Sequence, residues 1–179
     1  MRASMSSTRK KAMEAKTVKD SSVTMVHAMM PQDANPAGNV HGGVVMKYID
    51  TAAGVVALRH ARCRVVTASI ERLDFIHPVY VGNLLSLKAS LNMVGTSSME
   101  IGVRAETEDL LTGEVRHTVS AHLTVVALDE NGRPKRVPRL ILESEDEKRR
   151  NREALRRREV RLAERKRESQ SRREPTASS

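Results

Sequence analysis

The chain of 179 residues contains no tryptophan, one phenylalanine and two tyrosines. With aromatics at 2%, its core has to be filled by aliphatic side chains, and no row of rings is available to stack on nucleic-acid bases. Cysteine is as scarce. Cys63 stands alone, which excludes an internal disulfide and leaves neither a CxxC zinc pair nor a dithiol redox pair. Long uncharged apolar runs are missing too: Lys47, Asp50 and Arg59 interrupt the best candidate before it reaches the roughly 18 residues that a membrane-spanning helix needs. A soluble protein in a reducing, cytoplasmic compartment is the expectation. Residues 1–19 are basic and contain Ser and Ala, faintly like a transit peptide, but lack the apolar segment of a secretory signal.

What is abundant is positive charge, +9 net, and its distribution matters more than its sum. Residues 1–19 carry six Lys/Arg against Glu14, residues 143–179 carry thirteen against nine acids, and residues 20–142 balance twelve against twelve. The excess lies at the ends. Between them is a neutral segment with room for one globular domain and its core.

Residues 1–20 have little apolar content and no periodicity, and read as a disordered basic N-terminus. Residues 21–142 read as the domain. It opens with a β-branched, Met-rich strand over 22–30 that Pro31 stops, followed by the loop 35–43. From Gly43 to about His60 the apolar residues cover most of the helical circumference, which predicts a helix enclosed by protein on all sides. Four strands follow. The first covers 64–75; then Leu85, Leu87, Ala89, Leu91 and Met93 alternate with polar residues, as do Met99, Ile101, Val103 and Ala105, and finally Val119, Ala121, Leu123, Val125 and Ala127. Gly82-Asn83, Gly95-Thr96 and the 111–114 turn let consecutive strands fold back antiparallel. The expected fold class is α+β, one curved antiparallel sheet wrapped around one long helix. Such a sheet leaves an edge and a face uncovered, so at least a homodimer is expected. Residues 143–168 predict a charged C-terminal helix with Glu145–Arg149, Asp146–Arg150 and Glu153–Arg157 at i,i+4, its thin apolar stripe fit to dock weakly or project. Residues 169–179 read as a disordered tail.

The densest chemistry lies in Asn35-Pro-Ala-Gly38-Asn-Val-His41-Gly42-Gly43 and the helix it enters. Gly42 and Gly43 permit close backbone approach, and the first turn of a helix offers unpaired N–H groups to an oxyanion or a thioester carbonyl. The plainer reading is a tight strand-to-helix turn. Asp50 adds weight, because a carboxylate inside a buried helix is costly unless paired or used, and its helical neighbours Ala53 and Gly54 are small. An ion pair to Lys47 is the alternative. Seven residues at about 1.5 Å rise separate Gly43 from Asp50 by roughly 10 Å, so one reaction using both implies a composite site between subunits.

The pattern Asn35-x-x-Gly38-x-x-His41-Gly42-Gly43 with Asp50 resembles the hotdog-fold acyl-CoA thioesterases. Val66-Thr67-Ala68-Ser69, Phe75, Pro78-Val79, Val81-Gly82, residues 97–103 and Val137-Pro138 before a Lys/Arg-rich helix are similar to their broad-specificity acyl-CoA hydrolase subgroup. The resemblance covers about residues 22–165. It implies hydrolysis of acyl-CoA to a carboxylic acid and CoA, with no metal and no cofactor beyond the CoA of the substrate. Asn35 would orient water or thioester, Asp50 would act as general base or nucleophile, and Gly43 N–H would hold the oxyanion, with His41 and Gly42 shaping the turn. Thr67, Ala68, Ser69, Thr96, Ser97 and Ser98 would contact CoA, and Arg158 its phosphate. A dimer as minimal unit and a trimer of dimers as the assembly are implied likewise.

Two other functions compete. A non-hydrolytic acyl-CoA sensor of the same fold would need neither Asn35 nor Asp50. Nucleic-acid binding through the Arg-rich helix is opposed by its interleaved acids and by the lack of aromatics after Tyr80. A dehydratase would need a histidine base in a Gly-His-Phe-Pro-type loop, which the sequence lacks.

Overall fold

The computed structural model describes residues 14–171; the rest of both predicted tails lies outside the described residues. In chain order the elements are β1 (Lys16–Thr17), α1 (Val18–Ser21), β2 (Val23–Ala28), α2 (Gly42–Ala61), β3 (Arg64–Phe75), β4 (Leu84–Val94), β5 (Ser98–Glu108), β6 (Val115–Leu128), β7 (Leu140–Ile141) and α3 (Glu145–Ser171). Five strands form one antiparallel sheet in the order β2-β4-β5-β6-β3, which puts β3, the strand after the helix, at an open edge.

Alternation decides which face meets the helix. Leu85, Leu87, Ala89 and Leu91 of β4, Met99, Ile101, Val103 and Ala105 of β5, and Val119, Ala121, Leu123, Val125 and Ala127 of β6 are buried on one face. Val45, Ile49, Ala52, Ala53, Val56 and Ala57 of α2 lie against them; the buried cluster is aliphatic, with Tyr48 packed at its margin. The alanines let the helix axis approach the sheet closely. Burial of α2 is one-sided, contrary to the expectation of a helix enclosed all round: Met46, Asp50 and Leu58 are exposed. A single sheet covers a single stripe, and on the far side of the helix Met46 and Leu58 are left exposed.

The opposite face carries α3. Glu100, between core-facing Met99 and Ile101, points away from α2 and is fully buried, 0% exposed, beneath the C-terminal helix. Arg157 Nη2 reaches it at 2.6 Å, and Asn92 Nδ2 donates to it at 3.2 Å. Asn151 Nδ2 donates to Asn92 O at 2.8 Å, Arg161 pairs with Glu71, and Ala154 is buried. The helix is therefore docked rather than projecting. Of its three expected i,i+4 pairs, Asp146–Arg150 forms at 3.2 Å. Glu145 takes Lys148, and Arg157 turns from Glu153 to Glu100, because a buried carboxylate outcompetes an exposed one for the guanidinium.

Residues 14–20, expected to be disordered, are ordered from β1 onward. Thr17 and Asp20 form a reciprocal capping box around α1, and β1 pairs with β7. Lys16 Nζ donates to the carbonyls of Arg59 and His60, at 3.0 and 2.7 Å, capping the C-terminus of α2. His60 closes the clasp: fully buried, its Nε2 lies 3.0 Å from Pro138 O and its Nδ1 3.2 Å from Ser21 Oγ. Donation to the carbonyl fixes Nε2 as the protonated nitrogen, so Ser21 donates to Nδ1.

Candidate active site

The loop before α2 is built around Asn35. Its Oδ1 accepts the N–H groups of Ala37 and Asn39, at 2.9 and 3.2 Å, while its own N–H meets Asn39 O at 2.6 Å. Two backbone donors on Oδ1 identify the other atom as nitrogen, and Nδ2 has no acceptor among the described residues. Gly38, at φ 86°, provides the left-handed turn within this loop.

His41 is the N-cap of α2. Its Nδ1 accepts the Gly43 N–H at 3.0 Å, and its carbonyl accepts from Val44 at 2.9 Å. The expected oxyanion donor, Gly43 N–H, is thus occupied by the histidine. Gly42 N–H, one residue earlier, has no acceptor among the described residues and faces a cleft of about 290 Å³. Asn35, Val40, Val45, Phe75, Ile76 and Val79 contribute to its walls. Phe75 lies directly over Gly42: a Cβ there would sit 3.4 Å from the ring's Cζ. Asn35 and the helix-terminal Gly42 therefore line one largely apolar cleft. That arrangement suits a polarised carbonyl with an apolar substituent.

Asp50 is not in that cleft. It is exposed, two turns along α2, and makes no ion pair with Lys47; its Oδ1 instead accepts from Thr67 Oγ1 at 2.7 Å. Eight residues from Gly42 amount to about 12 Å of helix, so one protomer does not bring the carboxylate to the cleft.

Thr67, Ala68 and Ser69, expected to act together, are separated by a bulge. Thr67 is registered with core-facing Val125 and Ser69 with outward-facing Thr124, leaving exposed Ala68 as the extra residue. Thr67 therefore serves Asp50 on the α2 face. Ser69 serves Glu71 on the α3 face, at 3.3 Å, beside Thr124, which also donates to Glu71. Thr96, Ser97 and Ser98 form the β4–β5 turn, closed by Gly95 N–H to Ser98 O at 2.7 Å. Arg158 does lie beside them: its Nη2 is 3.6 Å from where a Gly95 Cβ would stand. Thr67, Val125 and Met99 are paired across β3, β6 and β5, so this turn occupies the same end of the sheet as Asp50.

A larger groove, about 990 Å³, crosses the outer face between α3 and the sheet, and several of its cations are already matched. Lys88 and Arg104 share Glu106, Arg149 holds Asp146 and Glu153, and Arg72 holds Asp74. Among the described residues no group of three or more His, Cys, Asp or Glu side chains is arranged to hold a metal ion.

This geometry coincides with known proteins. The profile of the Thioesterase superfamily matches residues 37–114. A Bacillus subtilis protein named as an uncharacterized acyl-CoA thioester hydrolase is 40% identical over 75% of this chain and 78% of its own length. A cytosolic acyl coenzyme A thioester hydrolase of mouse is 35% identical over 76% of the chain, which spans 36% of that protein. Among solved structures, an apo-hexameric acyl-CoA thioesterase superposes with a TM-score of 0.82 at 39% identity, covering 85% of this chain and 97% of the other. An acyl-CoA hydrolase of Staphylococcus aureus, solved with butyryl coenzyme A, coenzyme A and coenzyme A disulfide, gives 0.80 at 35% identity over 88% and 96%. Alanine variants of that hydrolase at an aspartate, an asparagine and a threonine have also been solved. The fold and the site define a hotdog thioesterase. The chain belongs to the thioesterase superfamily, among its acyl-CoA thioester hydrolases.

Proposed function

We propose that this protein hydrolyses acyl-CoA thioesters to carboxylic acid and CoA in a site completed by two subunits. The carrying observation is that Asn35 and Gly42, whose N–H has no acceptor among the described residues, line one cleft, while the helix carboxylate Asp50 is exposed and held by Thr67 about two helical turns away. The three positions substituted in the S. aureus hydrolase are spaced 15 and 17 residues apart, the spacing of Asn35, Asp50 and Thr67.

The seam between α2 and the open strand β3 has two active points: Asp50 with Thr67 at one end, Gly42 with Phe75 at the other. A two-fold axis crossing the β3 edge between them, near exposed Ile70, sets the Asp50 of one copy opposite the cleft of its mate. Burial of Met46 and Ile70 favours the same pairing. A trimer of such dimers agrees with the hexameric relative. Asp50 takes a proton from water as the oxygen attacks the thioester carbon. Gly42 N–H and Asn35 Nδ2 stabilise the oxyanion, and collapse expels CoA thiolate, which is then protonated. The Thr96–Ser98 turn and Arg158, at the Asp50 end, are placed for the CoA portion. A cytoplasmic setting fits the unpaired Cys63 and the cytosolic mouse relative.

The test is release of CoA thiol from acyl-CoA by the parent, Asn35→Ala and Asp50→Asn. Both variants should lose turnover. Mixing the two inactive proteins after subunit exchange should restore about a quarter of parental activity, because half the dimers are mixed and each has one intact site of two. No recovery in demonstrably mixed dimers would place the whole site within one chain.

A further inference from the structure

The chain's single phenylalanine is not used where phenylalanine is most valuable, in the core. Phe75 ends the open edge strand, 47% exposed, beside Ile76 at 48%. Such side chains at a cleft mouth mark a surface that something apolar covers. The register of β3 explains its direction: Phe75 pairs with core-facing Val119, so the ring is turned toward α2 and rests over Gly42. The cleft under it, about 290 Å³, is at the small end of ligand pockets; Val40, Val45, Ile76, Pro78 and Val79 give it an apolar wall, with Asn39 and His77 as its further polar lining beside Asn35. Val40, Val45 and Val79 are buried parts of the core and cannot move aside without opening a cavity. Phe75 is different, because its exposed side has no neighbour among the described residues.

Resting on the reading that a thioester carbonyl sits between Asn35 and Gly42, we propose that this cleft is the acyl subsite and that Phe75 is its length gauge. The ring lies next to the oxyanion donor, so the first carbons of an acyl chain lie along its face and a longer chain meets its edge. Short acyl groups are then the preferred substrates, selected by an apolar wall, with Ile76 extending that wall outward. Phe75 touches no reacting atom; it is a specificity-determining residue.

The experiment measures kcat/KM from acetyl-CoA to palmitoyl-CoA for the parent, Phe75→Ala, Phe75→Leu and Phe75→Trp, with thermal melts of each. The parent should favour short chains. Phe75→Ala should raise the long-to-short ratio about tenfold or more, the scale on which a hydrophobic pocket senses a methylene or two. Phe75→Leu should shift it less in the same direction, and Phe75→Trp should shift it the opposite way. Should Phe75→Ala fail to fold, the Leu and Trp variants carry the same comparison. Equal loss at all chain lengths, or loss confined to long chains, would make Phe75 a binding platform and overturn the gauge. A parent that releases no CoA from any member of the series would instead remove the underlying hydrolase reading.

Discussion

Thr67 Oγ1 donates to Asp50 Oδ1 at 2.7 Å, joining the open edge strand to the helix across 17 positions of sequence. The bond holds one carboxylate oxygen, and the other has no hydrogen-bond donor among the described residues. Thr67 is thus a positioning residue for the proposed base. Thr67→Val, which keeps the shape and removes the donor, should lower kcat about tenfold or more, a part of the roughly 10²–10⁴ that a positioned general base supplies, while KM moves little. Thr67→Ser should retain most activity. Steady-state kinetics of the pair decides it: a change in KM alone would make Thr67 a CoA contact instead.

The Arg157–Glu100 pair should dominate the attachment of α3. Removing one partner of a buried pair leaves an uncompensated charge, so Arg157→Ala should cost about 3–5 kcal/mol in urea unfolding. The double variant Arg157→Met with Glu100→Leu should recover much of that, because the apolar pair needs no counter-charge. For the same reason, deleting α3 outright is expected to destabilise the sheet rather than merely remove a basic tail. Equal stability of parent and Arg157→Ala would show the pair to be idle.

The architecture was legible because two periods carry it. The two-residue alternation of β4, β5 and β6 and the aliphatic run of α2 are each sufficient to place an element. The Asn35-to-Gly43 loop was legible for its composition, but not the division of labour inside it. Only coordinates show that His41 occupies the Gly43 N–H and leaves Gly42 N–H open. The split between Thr67 and Ser69 was hidden because a bulge reverses facing without altering composition. Glu100 did carry a signal, an acid at an outward position between two buried apolar residues, but its partner lies 57 positions away, beyond any local pattern.

Acid should loosen the terminal clasp before it reaches the carboxylates. Burial holds the His60 pKa below its ordinary value, while the unfolded chain titrates near 6.5. Below that value the unfolded state binds the extra proton first. The stabilisation is therefore complete above about pH 6.5 and lost as pH falls toward the folded-state pKa. Burial and nearby Arg157 lower His122 in the same direction. Urea unfolding at pH 7.5 and 5.5 should show lower stability in acid, with a shallower slope for His60→Gln that His122 keeps from vanishing. A parent with flat stability over that interval would contradict the shift.

The sharpest chemical test follows from the position of Gly42 as the first residue of α2. Proline is favoured there, since the first turn needs no intrahelical donor and its φ is already helical. His41, at φ −63° and ψ 128°, has the extended backbone that a following proline demands. Gly42→Pro therefore deletes one N–H and keeps the helix. Gly42→Ala keeps the N–H and adds a Cβ 3.4 Å from Phe75, at ordinary contact, so it controls for bulk. If Gly42 N–H holds the oxyanion, Gly42→Pro should lower kcat about 10²–10³-fold, with a melting temperature close to that of the alanine variant. Gly43→Ala should act differently: its Cβ would stand 3.2 Å from His41 Nδ1 and press the capping imidazole aside, loosening the first turn before affecting chemistry. Near-parental kcat in a folded Gly42→Pro protein would transfer the role back to Gly43 N–H, and would require His41 to swing away when substrate binds.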